Sequence, residues 1–282
     1  MPLDQEEKVY PYERNMGFFD HIDELRKYLF RMAVALFIGI VISFIFIKEA
    51  FDILIMGPLN KGFWGYKFYC KIGRLINNTD FLCFDPPPVS LQSTAIQGQF
   101  VSAFKISFVM GFVITFPFII YQLWLFIKPA LSVKEVKNVN KGLFMVSFLF
   151  FAGLLFSYFL LVPLATNFLL SFQLGSQIQN IITINSVTGF VCFMSLAGGI
   201  VFQLPVLIYI LARIGLITSS FLLKYWRYAV LVIFIIAGIA TPSPDVFSQL
   251  VLGLPLMVLY FLGIYVAKRV EKDKAIKEKE YE

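Results

Sequence analysis

Two glutamates beside apolar stretches are the residues best placed to do chemistry in this sequence. Glu24 lies about one helical turn before an apolar stretch, and Glu135 is the only acid in the lysine-rich segment 128–141. Carboxylates close to a lipid boundary can hold a guanidinium through paired, charge-assisted hydrogen bonds. From the residues alone, a solvated acid at Glu24 and an ordinary ion pair at Glu135 remain open alternatives.

The composition indicates that lipid is the main solvent of this chain. Of 282 residues, 59% are hydrophobic and 15% are charged, whereas soluble domains have about 25% charged residues. The net charge of +6 is explained by basic loops at one membrane face rather than by nucleic-acid binding. The composition therefore excludes a soluble enzyme, a disulfide scaffold and a nucleic-acid module.

The common catalytic motifs are absent from the sequence. There is one histidine, and there is no Gly-x-Ser-x-Gly, His-Glu-x-x-His or P-loop pattern. We therefore expect no enzymatic activity, no metal and no cofactor. A small-solute transporter or channel is the alternative function, but ion-coupled transporters need ionisable groups inside their spans, and spans two to six have none.

Hydropathy predicts an all-α, polytopic membrane protein with six transmembrane helices in a concave arrangement. The predicted spans are residues 28–47, 106–127, 142–170, 187–212, 228–241 and 246–267. They form one membrane domain, 28–267, with a long external loop, 48–105. The fifth span is short, because its 13 strongly apolar residues reach only about 20 Å at 1.5 Å per residue; a re-entrant segment is the alternative.

The distribution of lysine and arginine predicts the orientation. The N-terminal region, the segments 128–141 and 213–227 and the tail hold 18 of the 24 basic residues, so both termini should face the cytoplasm. Residues 1–27 should include an interfacial amphipathic helix. The charged tail, 268–282, is typical of a solvated helix or a disordered end.

A few polar, proline and cysteine residues predict local structure. Gln122, Gln203 and Gln249 lie within spans, where amides usually join helices, and Asp245 is placed to cap the sixth span. Prolines in or near four spans should bend the helices into a concave wall; they are Pro117, Pro163, Pro205 and Pro255. Cys70 and Cys83 lie in the external loop, where a disulfide is permitted.

Four blocks of sequence, in order, resemble the TatC family, the receptor of twin-arginine protein translocation. Residues 21–26 (HIDELR) are similar to its opening HLxELR signature, and 117–131 (PFIIYQLWLFIKPAL) to its second-span block. Residues 202–206 (FQLPV) resemble its fourth-span block, and 244–249 (PDVFSQ) the start of its sixth span. The resemblance extends over about residues 17–269.

The resemblance implies a function and a set of site residues. Members bind twin-arginine signal peptides of folded precursors, recruit the single-span partners TatA and TatB, and work in the bacterial inner membrane on the proton-motive force. The lipid bilayer and further copies of the chain are the other expected partners. The implied signal-peptide site consists of Glu24, Glu135, Phe126, Arg26 and His21. The implied polar positions for partner docking are Gln203, Thr241, Asp245 and Gln249.

Three positions differ from the family pattern. Gln203 stands where many members have a fourth-span glutamate, and Phe261 stands where many have a sixth-span glutamate. The turn 241–245 (TPSPD) is one residue longer than the commoner form. Because an amide costs less to bury than a charge, Gln203 can still form hydrogen bonds, but the acids of the family are missing.

Overall fold

Most of the residues that the structure describes are helical. The structure is a computed structural model, and it describes residues 18–77, 83–84, 86, 88–127, 139–173, 175, 180–240 and 246–281. The α-helices are α1 (Phe18–Ile45), α2 (Ile47–Ala50), α3 (Trp64–Asn77), α4 (Gly98–Ile127), α5 (Val139–Phe156), α6 (Val162–Ser171), α7 (Ile184–Val201), α8 (Leu204–Ile214), α9 (Ser219–Lys224), α10 (Trp226–Ala240) and α11 (Val246–Tyr281). Strand-like pairing among the described residues is limited to a single bridge between Gln92 and Thr183.

Five helical segments of the described chain are long and apolar enough to cross a membrane. They are Ile22–Ile45, Gly98–Phe126, Gly142–Ser171, Ile184–Ile214 and Gln249–Lys274. The segment Trp226–Gly238 is apolar but shorter, as expected for the fifth span. The predicted all-helical, membrane-spanning fold is therefore confirmed.

Two of the four prolines interrupt their spans, and two do not. A π-helical turn, Ser157–Leu161, separates α5 from α6 just before Pro163. A break at Phe202 and Gln203 separates α7 from α8 just before Pro205. Pro117 and Pro255 lie inside continuous helices. Proline lacks the N–H that would bond the backbone carbonyl one turn earlier. The helix is interrupted near Pro163 and Pro205, whereas it continues through Pro117 and Pro255.

Helices α1 and α4 pack closely because glycines face each other at their crossing. A methyl group on Gly39 would lie 2.7 Å from Thr115 Cγ2 and 2.9 Å from the carbonyl oxygen of Gly111. A methyl group on Gly111 would lie 2.6 Å from the backbone nitrogen of Ile40. Small residues let membrane helices approach closely, and the gain is van der Waals packing. This crossing fixes the register of α1 against α4.

The core of the membrane domain is formed by α7, α8 and α11 together with the π-helical turn. Buried residues of these elements belong to one continuous apolar cluster, which includes Leu161, Val191, Ile208 and Ile264. Many large apolar side chains on α1 and α4 remain exposed, among them Phe37 and Ile114. Exposed apolar surface on a membrane-spanning helix is the surface that faces lipid.

The segment 48–105, which the sequence predicts to be an external loop, contains helix α3, and a disulfide between Cys70 and Cys83 joins this helix to the residues that follow it. Tyr69 lies on the buried side of α3 and donates a hydrogen bond of 3.0 Å to the carbonyl oxygen of Leu160. Burial raises the pKa of the Tyr69 hydroxyl, so the group remains a donor. The loop is therefore anchored to the third span.

Candidate functional site

Glu24 lies beside the end of α4, where the structure brings α1 and α4 together. Tyr28 is one turn after Glu24, and its ring meets the ring of Phe126 edge to face, with centroids 6.2 Å apart. The guanidinium of Arg31 lies 5.7 Å from the centroid of the Tyr28 ring. Side chains four residues apart share a helix face. Glu24 and Phe126 therefore belong to the same corner of the molecule, which we call the α1–α4 corner (Glu24, Tyr28 and Phe126).

The carboxylate of Glu24 is half-buried and has no ion-pair or hydrogen-bond partner among the described side chains. Its neighbours Asp23, Arg26 and Lys27 are exposed. His21 lies in the first turns of α1, but its side chain is outside the described residues. A half-buried carboxylate without a partner can accept a cationic ligand with less competition from water than an exposed one.

Glu135 lies outside the described residues, so its separation from Glu24 stays a prediction. The segment that carries it connects the end of α4 to the start of α5. Since Phe126 is in the last turn of α4 and contacts Tyr28, this segment starts at the same end of the helices as Glu24.

Two glutamines in the spans, one buried and one half-buried, have a buried side-chain oxygen without a partner among the described residues. The amide nitrogen of Gln203 donates a hydrogen bond of 3.2 Å to the carbonyl oxygen of Val146 in α5, which joins the fourth span to the third. Gln122, one turn before Phe126, is 5% exposed. The Oε1 atoms of both glutamines have no partner among the described residues. Gln203 is thus a helix-joining residue with one spare acceptor.

Gln249 joins the last two spans. Its amide nitrogen donates a hydrogen bond of 2.7 Å to the carbonyl oxygen of Phe234 in α10. Phe261, on the same helix, is partly exposed and lies 6.1 Å from the ring of Trp226. Thr241 and Asp245 are outside the described residues, so their expected roles in docking and capping remain predictions.

The C-terminal part of α11 contacts the end of α8 and the segment between α8 and α10. The sequence did not predict this contact. Glu271 accepts hydrogen bonds from the backbone nitrogen of Ser219, at 2.6 Å, and from its hydroxyl. The ammonium of Lys274 donates a bond of 3.3 Å to the carbonyl oxygen of Ala212. This part of the tail is neither disordered nor a purely solvated helix. No local sequence signal indicates it, because Glu271 and Ser219 are 52 residues apart.

Comparison with known proteins agrees with this architecture. The family model "Sec-independent protein translocase protein (TatC)" matches residues 20–255. A protein of that name from Blattabacterium sp. subsp. Periplaneta americana is 37% identical over 264 residues, which is 93% of this chain and 99% of the relative. One from Carboxydothermus hydrogenoformans is 32% identical over 92% of this chain and 96% of the relative.

Solved structures agree as well. A crystal structure of the twin-arginine translocase receptor TatC is 31% identical, covers 89% of this chain and 99% of its own, and superposes with a TM-score of 0.65. A second crystal structure, in the detergent DDM, gives a TM-score of 0.66 at 30% identity over 88% of this chain and 99% of its own. Sequence and fold agree over nearly the whole chain, and on both grounds it belongs to the TatC family of Sec-independent protein translocase proteins.

Proposed function

We propose that this chain is the receptor subunit of a twin-arginine protein translocase and that it binds the signal peptide at the α1–α4 corner. The observation that carries the proposal is half-buried Glu24, whose carboxylate has no partner among the described residues, one turn before the Tyr28–Phe126 ring pair. A guanidinium entering there would exchange water for a carboxylate in a less polar environment, where an ion pair is stronger than in bulk water.

Discrimination between arginine and lysine follows from the geometry of the two cations. The guanidinium is planar and can form two parallel hydrogen bonds with one carboxylate, whereas an ammonium is a point charge. Two adjacent arginines require two carboxylates, and Glu135 is the second acid in this proposal. Arg26, which is exposed in the same turn as Glu24, and His21, whose side chain is outside the described residues, are the other proposed site residues.

The aromatic pair has its own role in the proposed site. Arginine side chains stack on aromatic faces as well as pairing with acids. The guanidinium of Arg31 lies 5.7 Å from the centroid of the Tyr28 ring, so an aromatic ring of this corner already contacts a guanidinium within the protein. The apolar part of the signal peptide would then continue along the lipid-facing side of α1 and α4.

The proposed orientation places both termini in the cytoplasm of a bacterial cell, with the chain in the inner membrane. The excess of basic residues in alternate connecting segments supports it. TatA- and TatB-type helices are the expected partners, with Gln203, Thr241, Asp245 and Gln249 as the proposed polar docking positions, and further copies of the chain complete the complex. The proton-motive force drives transport, and the chain itself catalyses no reaction.

The proposal is tested by photocrosslinking a twin-arginine signal peptide to the protein in membranes. We expect Glu24→Gln to lower the yield about tenfold, because a charge pair at a partly buried site is lost, and about 1.4 kcal/mol is tenfold in binding. Asp23→Asn removes the same charge from an exposed neighbour and should leave the yield unchanged. Equal yields for Glu24→Gln and the unmodified protein would contradict the proposal.

A further inference from the structure

Helix α3 presents three distinct faces, of which one is buried against the protein. At 100° per residue, Gly65, Tyr66, Tyr69 and Gly73 fall on one side, and all four are buried. Gly65 packs against the backbone of Phe159 so closely that a side chain there would collide with it. The buried face therefore packs against the third span, and the other two faces can contact a ligand.

The place where α3 docks lies at the outer boundary of the membrane. Its contacts on the third span are Phe159, Leu160 and Pro163. The candidate span Gly142–Ser171 has 30 residues, about 45 Å at 1.5 Å per residue, so it extends beyond the hydrocarbon core. Counted from Gly142, these contact residues lie about 26–32 Å along the helix. The hydrocarbon core is about 30 Å thick. The helix thus lies beside the lipid–water interface, on the face opposite to Glu24.

The second face of α3 is apolar and exposed. Trp64, Phe68 and Leu75 recur at i, i+4 and i+11, which places them on one side. The rings of Trp64 and Phe68 stack with centroids 4.9 Å apart. Trp64 is 52% exposed and Leu75 is 76% exposed. Tryptophan is enriched at membrane interfaces, where its ring lies at headgroup level.

The third face is basic and adjoins the apolar one. Lys67, Lys71 and Arg74 recur at i, i+4 and i+7, and together with Lys61 they line an open cavity of about 620 Å³. The disulfide between Cys70 and Cys83 forms part of its wall. No acid is among the described residues that line it; Asp80 and Asp85 lie outside the described residues. An excess of cations on the outer membrane face is unexpected from the positive-inside rule alone.

From these faces we propose that α3 is an interfacial helix that binds the headgroups of anionic phospholipids in the outer leaflet. Trp64, Phe68 and Leu75 enter the acyl boundary, while Lys61, Lys67 and Lys71 pair with headgroup phosphates. A basic row beside an apolar row that contains tryptophan is the pattern of amphipathic helices that lie in the membrane plane. The disulfide keeps the basic row in place by joining α3 to the next segment.

The proposed ligand is a phospholipid rather than a free phosphate because a phospholipid contacts the basic face and the apolar face of α3 at the same time. A soluble anion would leave the apolar row in water, whereas a lipid satisfies the charge with its headgroup and the apolar side chains with its tails. The inference does not depend on how the signal peptide binds, because the two sites lie on opposite membrane faces.

The test measures the lipid composition around Trp64. The full-length chain with Trp124→Phe and Trp226→Phe retains Trp64 as its single tryptophan, since the chain has three. It is placed in nanodiscs containing phosphatidylglycerol and phosphatidylcholine, with brominated acyl chains on one lipid at a time. We expect phosphatidylglycerol to be enriched about fivefold or more around Trp64, the effect of about one basic side chain at an anionic surface.

Variants separate local binding from a general charge effect. Lys61→Gln/Lys67→Gln/Lys71→Gln should abolish the preference while Trp64 is still quenched. The matched control, Lys268→Gln/Arg269→Gln/Lys272→Gln, removes three exposed cations from α11 and should retain it. The inference is overturned by equal quenching from both lipids in the unmodified chain, by no quenching from either, or by a preference that survives the triple change. Loss of the preference on adding inorganic phosphate would also overturn it, in favour of a soluble anion.

Discussion

Glu24 differs from the neighbouring acid Asp23 in burial rather than in chemistry. Asp23, Arg26 and Lys27 are exposed, and Glu24 is half-buried on the side of α1 that carries Tyr28 toward α4. Exposed pairs are worth little because water and salt screen them. Burial is therefore what favours Glu24 over Asp23 as a carboxylate of the proposed site.

At the residue scale, the aromatic pair predicts a measurable loss. Phe126→Ala removes the ring against which Tyr28 packs, and an aromatic pair contributes about 0.5–1.5 kcal/mol beyond its area. We expect the signal-peptide affinity to fall by about twofold to tenfold, as measured by fluorescence titration in detergent. Phe37→Ala, on the lipid-facing side of α1, is the control. An equal fall in signal-peptide affinity in both variants would show that Phe126 has no specific role in the site.

At the scale of elements, the site depends on how α1 and α4 cross. The Gly39–Gly111 contact lies along the same helix pair that brings Tyr28 to Phe126. A helix displaced at the crossing moves at its end as well, because interiors are close-packed.

Gly111→Leu tests this dependence. The new side chain meets the backbone of Ile40, and overpacking costs about 1–3 kcal/mol. Thermal unfolding in detergent should occur at a lower temperature, and the signal-peptide affinity should fall with it. Gly62→Ala, where a methyl group meets nothing within 4 Å, should change neither. Unchanged affinity in a destabilised Gly111→Leu protein would show that the crossing does not position the site.

The hydrogen bonds from α11 to the α8–α10 segment make a second prediction about elements. Glu271→Ala leaves the backbone nitrogen of Ser219 without its acceptor, and loss of a bond to a charged group costs about 1.5–3 kcal/mol. Backbone amides in 215–224 should then exchange hydrogen faster, as measured by mass spectrometry. Asp273→Ala, an exposed acid on the same helix, is the control. Equal exchange in the two variants would mean that α11 does not stabilise this segment.

At the scale of the whole molecule, we propose that the short helix α10 thins the membrane beside the last two spans. Trp226–Gly238 covers about 20 Å at 1.5 Å per residue, and a short span is accommodated by thinning of the bilayer. Thinning would lower the barrier to a passing protein.

Lengthening α10 should therefore impair transport. Insertion of four leucines after Ile235 adds about 6 Å and relieves the mismatch. We expect export of a twin-arginine reporter enzyme to fall severalfold while the protein still inserts. Ile235→Leu/Ile236→Leu changes the same lipid-facing surface without changing its length, and should export normally. Normal export by the lengthened protein would rule out a role for thinning.

Hydropathy and proline positions were enough to predict the helical membrane fold, because burial in lipid requires long apolar helices. They could not predict that the fourth span breaks at Gln203 while the second runs through Pro117. Whether a helix breaks at a proline depends on how neighbouring helices satisfy the carbonyl that the proline leaves without a hydrogen bond. They also could not predict the bond between Glu271 and Ser219, which depends on how distant segments meet. The contact of Tyr28 with Phe126 brings the part of α1 that carries Glu24 to the end of α4, but the signal-peptide site itself and the position of Glu135 stay predictions.

The central claim, that two carboxylates recognise two arginines, is tested most directly by peptide affinity. Peptides carrying Arg-Arg or Lys-Lys in the same signal sequence are titrated against the unmodified protein and the Glu24→Gln/Glu135→Gln variant. We predict that the unmodified protein prefers Arg-Arg by at least about tenfold and that the double variant loses this preference. If the double variant still preferred Arg-Arg to the same degree, the carboxylates would not be the recognition site.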